Sequence, residues 1–129
     1  MSESTEKSKR VLSVGQCFAD HSAIARFLSG QFGATVIAAD STSQALDQVR
    51  QERFALILVN RVFDADGASG LDFIRAVQAD EQLRTVPIML VSNYDDAQAQ
   101  AVQAGAVLGF GKASLSQPQT MARLEPFLR

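Results

Sequence analysis

Three polar side chains stand where apolar runs stop. Asn60 ends Ala55-Leu56-Ile57-Leu58-Val59, Ser92 follows Pro87-Ile88-Met89-Leu90-Val91, and Lys112 comes two places after Phe110. A hydroxyl and an ammonium suit an anion, whereas a carboxamide is uncharged and a poor nucleophile. Gly15 and Gln16 follow a fourth run, Val11-Leu12-Ser13-Val14, and bring no charge either. Asn60 is therefore read first as a residue that hydrogen-bonds neighbouring loops, with a ligand-binding role as the sharper alternative. Lys112 is expected to pair with Asp20, Asp64 or Asp66, or else to join Ser92 and Asn60 in an anion-accepting pocket.

Other motifs fail on spacing. Cys17 and His21 are four apart, but the chain has one cysteine and one histidine, too few for a zinc site. Asp64-Ala65-Asp66-Gly67 invites a calcium reading. An EF-hand register would put Val62 and Phe73 at positions that require acids, so a solvated turn is expected. Gly109-Phe110-Gly111-Lys112 lacks the P-loop partners, since Ala106 and Ala113 stand in their places, and Ser114 spoils a dinucleotide fingerprint.

Alternating patterns must position these groups. Apolar runs at 11–14, 35–38, 55–60, 86–92 and 107–110 read as strands. Helical spacing covers 20–32, 41–53, 70–79 and 95–104, and a last helix opens at Ser116-Gln117-Pro118-Gln119, which has the form of a capping box. Asp20 or Ser22 is expected to cap the first helix. Pro126 is expected to kink the last helix or end it near Leu124. Five strands alternating with five helices imply an α/β fold with a parallel sheet covered on both faces. Right-handed crossovers favour a doubly wound sheet of order 2-1-3-4-5. Residues 1–9 read as a disordered leader and 10–129 as one domain.

Composition excludes several classes. Of the 129 residues 47% are hydrophobic and 20% charged, as in a globular chain, and the net charge of −2 gives no drive toward nucleic acid or anionic lipid. No apolar stretch is long enough to span a bilayer, and the polar N-terminus is no secretory signal. A cytoplasmic location is expected.

From Arg10 to Leu128 the order of landmarks resembles the bacterial response-regulator receiver family, which is CheY-like and flavodoxin-like in fold. Leu56-Ile57-Leu58-Val59-Asn60 resembles the strand bearing the phosphoacceptor. Gly70-Leu71-Asp72-Phe73-Ile74 resembles the start of the third helix, and Pro87 to Ser92 the fourth strand with its terminal hydroxyl. Ala104-Gly105-Ala106 followed by Lys112 resembles the fifth strand and its lysine. The resemblance implies an aspartate where Asn60 stands and an acidic, Mg²⁺-holding pair where Gly15 and Gln16 stand. It implies a switch aromatic at Gly109, although Phe110, one place on, should face the opposite side. It implies a proline at Ala113, where a trans peptide is expected instead. Ser92 and Lys112 match.

These departures imply a pseudo-receiver: not an enzyme, with Mg²⁺ binding lost and no cofactor. It would act through protein partners in two-component-type signalling, without phosphorylation. The resemblance places a partner or homodimer face on the fourth helix, fifth strand and fifth helix, with Ala97, Ala101, Phe110 and Leu124 as candidates. Two alternatives stay open: a small-molecule or anion sensor over Asn60, Ser92 and Lys112, and an atypical phosphoacceptor using displaced acids such as Asp64 or Asp66.

Overall fold

Every residue of the central strand is buried, and that fact sets the layers of the whole molecule. The computed structural model describes residues 9–129. Of the leader expected over residues 1–9, all but Lys9 lies outside the described residues. Strands β1 (Arg10–Val14), β2 (Thr35–Ala39), β3 (Leu56–Asn60), β4 (Ile88–Val91) and β5 (Val107–Phe110) pair in parallel in the order β2-β1-β3-β4-β5. Between and after them come α1 (Phe18–Phe32), α2 (Thr42–Gln51), α3 (Gly70–Gln78), α4 (Asp95–Gln103) and α5 (Pro118–Leu128). This is the doubly wound α/β fold expected from the sequence.

Alternation along β3 divides the core in two. Leu56 and Leu58 pack with Ile24 and Leu28 of α1 and with Leu124 and Leu128 of α5. Ile57 and Val59 face the other way, onto Ala45, Phe73, Ile74 and Ala101 from α2, α3 and α4. Each large aliphatic side chain removed from water in this way contributes roughly 1.5–3 kcal/mol.

Three local expectations need correction. The first helix starts earlier than Asp20, and its cap is Cys17, whose Sγ accepts from the Asp20 amide at 3.5 Å. The Ser116–Gln119 capping box does not form: Gln117 occupies the cap position without a side-chain bond, and Pro118 supplies the first turn. Nor does Pro126 end α5 near Leu124, since the helix runs on to Leu128. A proline so close to the end denies a donor only to the Ala122 carbonyl, and buried Leu124 and Leu128 hold the last turn against the sheet.

The edge between β4 and β5 is irregular. Met89 pairs with Val107 and Val91 with Phe110, so Leu90 opposes both Leu108 and Gly109 in a bulge. A bulge leaves ladder groups unpaired, and buried Gln98 of α4 meets them. Its Nε2 donates to the carbonyls of Leu90 at 2.9 Å, Ser92 at 3.1 Å and Phe110 at 3.3 Å, while its Oε1 accepts from the Gly109 amide at 3.1 Å. Arg123 Nη1 donates to the Gly109 carbonyl at 2.7 Å. Only glycine fits at 109, because a Cβ would stand 2.1 Å from the Leu90 carbonyl oxygen. Replacing Gln98→Leu should therefore strand several buried backbone groups. The expected loss is about 3 kcal/mol in urea unfolding, with faster hydrogen exchange at the Gly109 amide.

Candidate functional site

The carboxyl ends of β1, β3, β4 and β5 converge, as open α/β sheets arrange their ligand crevices. β3 delivers Asn60, which is 8% exposed. Its Nδ2 donates to the Gly15 carbonyl at 3.0 Å and to the Val62 carbonyl at 2.7 Å. Two carbonyl acceptors fix the amide's orientation, since only the nitrogen can face both. Asn60 thus ties the loop after β1 to the loop after its own strand.

The loops are closed further around it. Gly15 donates to the Ala39 carbonyl at 2.8 Å, and its carbonyl also accepts from Asp64 N at 2.9 Å. Its φ is 76°, and a Cβ there would lie 2.4 Å from the Phe63 ring. Phe63 is buried and stacks at a tilt on Phe73, with centroids 6.2 Å apart. Gly70 is equally constrained, as its Cβ would lie 2.0 Å from the Asn60 carbonyl oxygen. Between them Val62 bridges Ser69, and Asp66 Oδ1 accepts from Ala68 N at 3.0 Å.

The groups expected to bind an anion are engaged with protein partners. Ser92 Oγ accepts from the Tyr94 amide at 3.2 Å. Lys112 Nζ lies 2.8 Å from Asp20 Oδ2, with both side chains about one-third exposed. The hydrogen bond from Lys112 is the main cause that holds the Asp20 carboxyl below the usual aspartate range. Arg61 arches over the Tyr94 ring, 5.0 Å from its centroid. Together Asn60, Arg61, Ser92, Tyr94 and Lys112 line a crevice of about 260 Å³.

These residues do not fit Mg²⁺. At 15 there is no side chain and Phe63 fills its space, at 60 an amide hydrogen points inward, and Gln16 is uncharged. Asp64 and Asp66 do not compensate. Among the described residues no three His, Cys, Asp or Glu side chains gather as metal ligands.

The remaining expected positions divide. Gly109 lies in the bulge, and Phe110 packs with α1 and α5 on the opposite side of the sheet. Ala113 N donates to Asn93 Oδ1 at 3.0 Å within a turn over Lys112–Ser114, and no peptide bond among the described residues is cis. The candidate partner face is corrected in its residues. Ala101, Phe110 and Leu124 are 1%, 2% and 0% exposed, so they belong to the core. They are the inward stripes of their elements. Ala97 is half-buried, and the apolar groups that this face exposes are Val102, Val107 and Leu108.

No protein-family model matches this chain, and no curated protein matches it by sequence. Solved structures match it well. A response regulator described as putative from Chloroflexus aurantiacus superposes with a TM-score of 0.75 at 19% identity, over 95% of this chain and 98% of that one. The beryllofluoride-activated NtrC4 receiver domain dimer gives 0.74 at 20% identity, covering 93% and 96%. A Burkholderia pseudomallei response regulator, solved with a phosphorylated aspartic acid, calcium ion and citrate, gives 0.69 at 23% identity, covering 94% and 66%. The fold is the receiver fold. At these identities the likeness is one of architecture.

Within this receiver fold Asn60 and Asp20 each carry a test. Asn60→Asp should point carboxylate oxygens at two carbonyls and cost about 2 kcal/mol at neutral pH. Repulsion raises the folded pKa of the carboxyl it installs, so the deficit should shrink as pH falls and the group protonates. Asp20 behaves oppositely. Its folded pKa is depressed, so its contribution is complete above the ordinary aspartate range and fades as pH drops through the folded value. After solvent screening, Asp20→Asn is expected to cost roughly 0.5 kcal/mol near neutrality, and urea melts of both variants across pH check the two signs.

Proposed function

We propose that this chain is a receiver-like signalling module that works by binding protein partners and does not accept a phosphoryl group. One observation carries the reading. The side chain where a receiver would hold its phosphoacceptor is an amide whose nitrogen faces inward and binds two loop carbonyls. A nucleophile at this place must present a free carboxylate oxygen outward. Asn60 instead commits its donors to structure, and Phe63 occupies the space a metal-binding acid at 15 would need. Transfer of a phosphoryl group without a cation to offset its charge is strongly disfavoured.

The receiver fold also signals through a movable aromatic near the fifth strand, by the resemblance drawn from the sequence. Here that position is Gly109, fixed by Gln98 and Arg123. The partner surface is placed on α4 and β5 around Val102, Val107 and Leu108, which are 44%, 38% and 45% exposed. The NtrC4 receiver domain was solved as a dimer, and a second copy of this chain is one partner compatible with such a surface. The setting is bacterial two-component-type signalling in the cytoplasm.

The sensor reading is weaker on one specific point, because Lys112 already pairs with Asp20. Among the described residues lining the crevice, Arg61, stacked on Tyr94, is the cation not paired with a carboxylate. Intact-mass spectrometry after incubation with Mg²⁺ and acetyl phosphate tests the proposal. No covalent phosphate is expected, and its appearance would overturn the reading. Leu108→Glu should abolish association with the partner or with a second copy, while Asn60→Ala leaves that association within about twofold.

A further inference from the structure

A second crevice lies beside the first, where the loops after β1, β2 and β3 meet. It encloses about 400 Å³, and its walls include Gln16, Phe18, His21, Asp40 and Asp64. This is the switch point of the sheet: the chain leaves β1 for β2 on one side and returns to β3 on the other. None of the proposed partner contacts touch this crevice, and its chemistry is independent of theirs.

Four observations bear on what this crevice can hold. Gln16 is 7% exposed, yet neither its Nε2 nor its Oε1 has a hydrogen-bond partner. Nearly all buried polar groups are paired, and this carboxamide lacks both a donor and an acceptor. His21 Nδ1 is also buried and unpartnered. Phe18, by contrast, is 86% exposed at the start of α1, with an open ring face at the crevice wall. Finally, the wall carries the carboxylates of Asp40 and Asp64 and no lysine or arginine.

The charge calls for a cation, and the donor set argues against a metal ion. Among the described residues no cluster of three His, Cys, Asp or Glu groups exists, and a hard divalent ion needs several oxygen ligands. The geometry points to a site for a guanidinium group. A guanidinium is planar, weakly hydrated, stacks on an aromatic face and offers a fork of N–H donors to carboxylates. Here Phe18 supplies the face and Asp40 and Asp64 the acceptors, and Gln16 Oε1, now closed to solvent, becomes a further acceptor once its amide turns toward the crevice. The same turn frees Gln16 Nε2 to donate to a carbonyl carried by the ligand. The guanidinium belongs either to a small free compound or to an arginine in a polypeptide.

Chemical-shift titration of the full chain tests this with methylguanidinium, methylammonium and a blocked Gly-Arg-Gly peptide as probes. Methylguanidinium should move the Gln16 side-chain amide resonances saturably, with methylammonium binding about tenfold more weakly. Phe18→Ala and Asp64→Asn, both at exposed positions, should each weaken binding about tenfold. Tighter binding of the peptide than of methylguanidinium assigns the group to a polypeptide arginine, and equal binding assigns it to a small compound. Absence of saturable shifts at Gln16, an equal response to methylammonium, or full binding by both variants would each overturn the assignment.

Discussion

The carboxamide of Asn60 joins two loops that arrive from different strands. Its nitrogen reaches the carbonyls of Gly15 and Val62, and both loops pack so closely that glycine is required at 15 and at 70. A buried donor is costly to leave unpaired, and a buried charge in its place would be costlier. The amide therefore sets the chemistry of the crevice by setting its shape. Phe63 can fold inward only because Gly15 carries no side chain, and Gly15 can accept from Asn60 only because the residue at 60 is a donor.

A second amide does comparable structural service. Gln98 closes the bulge between β4 and β5 with four backbone contacts. One amide sits at the carboxyl end of β3 and the other beside the bulge that joins β4 to β5. In each case a carboxamide nitrogen donates to backbone carbonyls, and at Gln98 the amide oxygen also accepts from the Gly109 N–H. The two sites share a result: loops and a strand edge are pinned by neutral hydrogen bonds, which screening by salt hardly affects.

Much of the fold is legible in the sequence because it rests on periodicity. Apolar runs bounded by glycine and polar residues locate all five strands, and glycines 33 and 105 mark helix ends. The crevice residues are legible by order along the chain. What eludes the sequence is geometry at single side chains. Gln98 sits in a run of alanines and glutamines, Asp95–Gln103, that reads as a modestly packed helix or a flat partner surface, although its spacing from Ala101 is that of an inward stripe. The resemblance puts Ala101, Phe110 and Leu124 on a partner face because it locates elements and not the direction of single side chains, yet these three point into the core. The cap at Cys17 escapes notice because sulfur is a weak acceptor and a rare cap. Pro126 reads as a helix breaker only when the shortness of the helix beyond it is left out.

The stacking of Arg61 on Tyr94 has a practical side. The chain holds one tyrosine and no tryptophan, so its tyrosine emission comes from a single ring on the crevice rim. A cation 5.0 Å from that ring perturbs its excited state. Any molecule that draws Arg61 away alters the emission, and the protein carries its own optical gauge of what enters the crevice, with no dye attached.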